Sequence, residues 1–196
     1  MSSLRVSSIA ARTGSGNIAI PTSNKIVGVD AGSVVAPGMI IQTAVVRSDL
    51  RATYSSSNSG NGNPVTPMDL TITPRFANSL IICQWMVNGE LHQDNNFVIW
   101  KNGAIAPNGF NQESGNVRWS GYAAAFYDQN ESSTPSNWKI VYADVPGSAA
   151  TMTYGLAVRS SSASNYTFYL NSTVANAGAD AYETMVSVGI IQEIAQ

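Results

Sequence analysis

From Met39 onward the chain is a succession of short apolar or alternating segments, parted by loops rich in Ser, Asn, Gly and Pro. Met39 to Val46 opens the series, and Leu70-Thr71-Ile72-Thr73 alternates apolar with polar. Leu80 to Val87 is apolar on both faces, as in a buried strand. Phe97-Val98-Ile99-Trp100 runs into Lys101-Asn102-Gly103, where Asn-Gly supplies the positive φ of a tight hairpin turn. Further strands are predicted over Val117–Tyr127, Trp138–Val145, Thr151–Arg159, Tyr166–Leu170 and Glu183–Ile194. Pro67, Pro74, Pro107, Pro135 and Pro146 punctuate the pattern, and no stretch sustains a helical period with caps. The spacing predicts an all-β fold, an antiparallel jelly-roll-like β-sandwich of about eight strands.

Residues 1–38 differ from the rest, with many Gly and Ser, small aliphatics and no aromatic residue. Leu4 and Val6 alternate with polar neighbours, Ile18 and Ile20 share a face before Pro21, and Ile9 lies between the two pairs. Large side chains are what build a core, so this stretch reads as an extended N-terminal arm that lies on something else. Residues 39–196 then form the head domain.

Composition narrows the function. Hydrophobic residues make up 44% and charged residues 11%, against about 25% charged in an average soluble domain. Neutral Ser, Thr, Asn and Gly replace the missing charges, which suits a chain that buries surface against copies of itself. A net charge of −2, with Lys and Arg scattered singly, argues against a nucleic-acid partner. The single Cys83 excludes an intrachain disulfide or a thiolate cluster, and its apolar neighbours mark it as a small buried hydrophobe. The first residues lack the apolar core of a signal peptide, and no apolar run approaches the ~20 residues of a membrane helix. The expectation is a protein made in a cytoplasm and kept there or packed into a particle, without membrane insertion.

Signals for catalysis are sparse. His92 is the one histidine, with no serine near it in a hydrolase context. Gly14-Ser15-Gly16-Asn17-Ile18-Ala19 matches a dinucleotide string, but Pro21 and β-branched neighbours oppose the helix that the motif requires. Glu90, His92 and Asp94 would share one face if the strand from Leu80 continued, and are weak candidates for a metal or anion site. The plainer reading is a solvated strand end leading into the Gln93-Asp94-Asn95-Asn96 loop. No carboxylate pair stands out for glycan hydrolysis. The expectation is a non-enzyme without cofactors. Trp100, Trp119, Tyr122, Phe126, Tyr127, Trp138, Tyr142 and Tyr154 are mostly assigned to the core. Trp119 and Tyr166, near loops, are candidates for stacking on sugars of a cell-surface glycan.

Three segments carry a family resemblance. They are Leu4 to Gly16 with its continuation to Pro37-Gly38-Met39-Ile40-Ile41-Gln42, the run Leu70-Thr71-Ile72-Thr73-Pro74 to Ile82, and the closing Val188 to Gln196. Together they resemble small virion-associated proteins of marine bacteriophages, often labelled tail fibre or fibre-like proteins. The resemblance implies a trimeric β-sandwich head of the tumour-necrosis-factor-like and C1q-like kind, on a virion assembled in the bacterial cytoplasm. It implies that Leu4, Val6, Ile9, Ile18 and Ile20 of the arm anchor the protein to tail, portal or major capsid subunits. The expected trimer seam is apolar, with Met185, Ile191 and Ile194 of the last strand as candidates. A surface fibre or knob contributing to host attachment is the first functional expectation. A capsid decoration protein is the alternative, and a glycan-degrading enzyme a distant third.

Overall fold

In a computed structural model, residues 34–56, 61–92, 94–110, 121–124, 134–161, 164–176 and 182–196 are described. The chain divides into two units, Met1–Val35 and Ala36–Gln196, and every described strand belongs to the second. The arm residues Leu4, Val6, Ile9, Ile18 and Ile20 lie outside the described residues, and so does Trp119.

Twelve strands and two short 3-10 turns are described. The strands are β1 (Ile40–Ser48), β2 (Ala52–Ser55), β3 (Asn63–Pro64), β4 (Leu70–Ile72), β5 (Leu80–Glu90) and β6 (Asn95–Lys101). They continue as β7 (Ala104–Ile105), β8 (Ala123–Ala124), β9 (Ser136–Asp144), β10 (Met152–Ser160), β11 (Thr167–Leu170) and β12 (Ser187–Ile194). Four pairs of these are interrupted single ribbons. β1 and β2 follow one another along β12 and β11, β3 and β4 lie along one side of β10, and β7 and β8 lie along one side of β6. β11 and β12 lie end to end along β5.

Counted as ribbons, the chain makes eight. The first pairs with the eighth, the second with the seventh, the third with the sixth and the fourth with the fifth. One sheet therefore runs first, eighth, third, sixth, and the other second, seventh, fourth, fifth. This is the ordering of a jelly roll, a long hairpin wrapped into two antiparallel sheets. The predicted fold class is borne out at the level of topology. The hairpin between β6 and β7 also forms as expected, with φ 53° at Asn102 and 84° at Gly103.

The core lies between the sheets. Alternation along each strand supplies it, with Ile81, Cys83, Trp85 and Val87 from β5 facing Leu156, Val158, Phe97 and Ile99 from the other sheet. Phe97 meets Phe168 edge-to-face at 5.1 Å and Trp138 at 5.8 Å, so an aromatic contact joins the two layers. The Trp85 indole N–H donates to the Met68 carbonyl at 2.8 Å. At one end Asp144 of β9 accepts from Lys101 (2.6 Å) and from the Tyr154 hydroxyl (2.7 Å), a polar clamp between the sheets. Burial, reinforced by the Asp144 hydrogen bond and charge, pushes the Tyr154 phenol well above its ordinary value.

Two predicted boundaries move. Of Val117–Tyr127, Ala123–Ala124 is the strand among the described residues. The last strand begins at Ser187 rather than Glu183, because the Met185 amide donates to the Asn171 carbonyl and turns the chain before the ladder starts.

Candidate functional site

Alternation buries one face of the first sheet and leaves the other outside. Its outward positions fall into rows across β1, β12, β5 and β9, read from the strand register. One row is Thr43, Gln192, Ile82 and Ala143. The next is Val45, Ile190, Gln84 and Val141. The third is Arg47, Val188, Met86 and Lys139. Beyond the first row, Ile194 sits opposite Leu80. The two central strands thus present Leu80, Ile82, Gln84 and Met86 beside Val188, Ile190, Gln192 and Ile194, with no charge among the eight. The cations Arg47 and Lys139 stand at the two edges of a single row, and the exposed Asp49 just past the end of β1 lies 4.0 Å from the Arg47 guanidinium.

Val45, Met86 and Val141 are 63%, 47% and 49% exposed, far more than a strand aliphatic in a covered sheet. A shallow depression of about 290 Å³ opens among Gln84, Trp85, Met86, Lys139, Val188 and Ile190. Gln84 and Lys139 are the polar side chains of its lining, and the rest of it is apolar. A second hollow, lined by Asp49, Arg51, Tyr182 and Thr184, is polar.

The expected site residues scatter. β5 stops at Glu90, so Glu90, His92 and Asp94 do not share a strand face. The Glu90 carboxylate is turned inward and accepts from the Val174 amide at 2.9 Å, at the start of a 3-10 turn. His92 Nδ1 accepts from the Asp94 amide at 3.2 Å. Among the described residues no three His, Cys, Asp or Glu side chains are placed to hold a metal ion. Asn95 and Asn96, expected in a solvated loop, are buried in β6. Tyr166 is half-buried with its ring stacked on His92 at 3.4 Å, so one of its faces is already taken.

The seam candidates also separate. Ile191 has no exposed surface in a single chain, because it points between the sheets, and it is withdrawn from any seam. Ile194 lies on the outward face of β12, whereas Met185 is exposed in the segment before that strand. Their neighbours Val188 and Ile190 carry the surface that the expectation missed. The two-residue period of β12 was the available signal: an odd-numbered Ile191 inside forces Val188, Ile190 and Ile194 outside.

A further polar device was not expected. Glu193 is fully buried at the end of β12. Its carboxylate accepts from the amides of Arg75 (2.8 Å) and Phe76 (3.2 Å), from the Ser79 hydroxyl (2.6 Å) and from the Gln42 side-chain amide. Burial alone raises its pKa, but these donors outweigh it and hold the group below its ordinary value. Two of the segments that carry the family resemblance, the loop after Thr73-Pro74 and the closing strand, are joined by this one side chain.

Fold and site together define a jelly-roll β-sandwich with an exposed sheet face whose two central strands carry no charge. No protein-family model matches the chain, and no curated protein matches it by sequence. A solved structure of infectious bursal disease virus Gx strain aligns with a TM-score of 0.35 and 11% identity, over 88% of this chain. The alignment spans 42% of that chain, less than half its length.

Proposed function

We propose that this protein is a non-catalytic structural component of a bacteriophage virion, a surface part that works by assembling rather than by turning over a substrate. The observation that carries the reading is the outward face of the first sheet, whose two central strands present six aliphatic or Met side chains and two glutamines. A monomer that lived alone in water would dilute such a face with charge, as the edges of sheets usually are. The sequence resemblance to phage fibre-like proteins adds the setting: a surface fibre or knob built from copies of this chain, attached through residues 1–38 and contributing to host attachment.

An antibody against the purified protein, applied to particles from the source of the sequence, tests this. Label at defined positions on intact particles is expected. Label confined to the host lysate, with none on particles, overturns the virion reading.

A further inference from the structure

We infer that the outward face of the first sheet packs against the same face region of a second copy of this chain. The inference rests on the reading of the protein as an assembling part and names the surface and partner that the reading leaves open.

Size comes first. Four strands about 4.8 Å apart, with four outward positions on each central strand and three on each edge strand at about 6.8 Å intervals, lay out a face of roughly 450–500 Å². Two such faces bury about 1,000 Å² in all, the size at which a specific protein contact becomes credible. Most positions of the face are aliphatic or Met, an apolar surface of the size that on soluble monomers often marks an interaction site.

Chemistry then selects the occupant. An acidic partner or a nucleic acid would want basic residues at the centre, but Arg47 and Lys139 stand at opposite edges of one row. A lipid surface would be met by aromatic and basic side chains together, and the outward rows hold no Trp, Tyr or Phe. What fits a neutral aliphatic field bordered by Lys139 on one side and the Arg47–Asp49 pair on the other is another neutral aliphatic field. The chain supplies one in every copy. Contact centred on β12 and β5, with β1 and β9 at its margins, lets the long Arg47 and Lys139 side chains reach the rim and keep their charged ends in water, so no charge is buried and no like charges are forced together. Gln84 and Gln192 can bond across such a contact.

The test uses the full chain. Val141→Glu and Met86→Lys place a charge on the face at exposed positions, away from the core. Val45→Asp, at the most exposed of these positions, is the reserve if either fails to fold. Each is followed by circular dichroism melting and by light scattering after size exclusion. The expected result is a wild type whose mass is a multiple of 20.7 kDa and folded variants at 20.7 kDa, with association weakened on the order of a hundredfold by a charge buried unpaired. A wild-type multimer that the folded variants retain overturns the face as the contact and leaves the assembling reading standing. A wild-type monomer at tens of micromolar overturns self-contact, while particle labelling separately decides the virion role. A monomer that becomes multimeric on deletion of residues 1–33 also overturns it, assigning the face to the chain's own N-terminal segment.

Discussion

Two carboxylates show how position decides what one side chain does. Glu193 sits among donors that would be left unsatisfied without it, namely the amides of Arg75 and Phe76 and the Ser79 hydroxyl. Glu193→Ala is expected to cost about 2–4 kcal/mol, read as a lower midpoint in urea, since each stranded buried group costs about 1–3 kcal/mol. Its folded pKa lies below the unfolded value of about 4.5, so its stabilisation is present above that value and is lost as pH falls through the folded pKa. Asp69 is the opposite case. Burial raises its pKa from 3.8 to about 6, and no other described group donates to its side chain. Its contribution is fully present below the unfolded value and is lost as pH rises through about 6. Asp69→Asn should therefore stabilise the protein near pH 8 by about 1 kcal/mol, discounted because the group is half in water. Melting at about pH 3 should show no such gain, and an equal gain at both pH values would contradict the assignment.

At the scale of elements, the ribbons depend on a few close backbone approaches. Gly89, with φ 157°, lies where β5 crosses from β12 to β11 as its partner. A Cβ there would sit 2.1 Å from the Tyr169 carbonyl oxygen and 2.8 Å from the Phe168 ring. Backbone cannot move aside cheaply, so Gly89→Ala should cost more than about 3 kcal/mol and detach β11 from β5. Hydrogen exchange should show faster exchange in Thr167–Leu170 and unchanged protection in β12. Uniform loss across both would mean that the eighth ribbon behaves as one unit. The interruption between β11 and β12 is itself held by Asn171, at φ 59°, whose side-chain amide donates to the carbonyls of Ser48 (3.0 Å) and Leu50 (2.9 Å). The same residue thus fixes the breaks in the first and eighth ribbons, where the ladder would otherwise run on.

For the whole molecule, the buried core among the described residues runs from Val65 to Ile191. Nothing in residues 1–38 offers an aromatic side chain to it. A chain of residues 36–196 is expected to melt cooperatively within a few degrees of the full protein, followed by its β signal in circular dichroism. Aggregation or loss of that signal would show that the N-terminal residues belong to the fold. The low charge content has its counterpart at this scale in the sheet face, where it leaves a surface that water does not favour.

Strand positions were legible in the sequence because a two-residue period is local. Residues two apart on each strand share a face before any partner is chosen. The Asn102-Gly103 turn was legible for the same reason, since its φ values depend on those residues alone. What the order of residues could not reveal is which face meets which sheet and where a strand gives out. Glu90, His92 and Asp94 have the spacing of a shared face, but β5 ends at Glu90, where that carboxylate turns inward to the Val174 amide. Glu193 and Ser79 stand far apart in the chain, and only the pairing of β12 with β5 brings the carboxylate to the loop. Ile191 and Ile190 are alike as residues. Register against Cys83 and Gln84 puts one in the core and leaves the other on the open face, because facing direction is a property of the assembled sheet and not of the side chain.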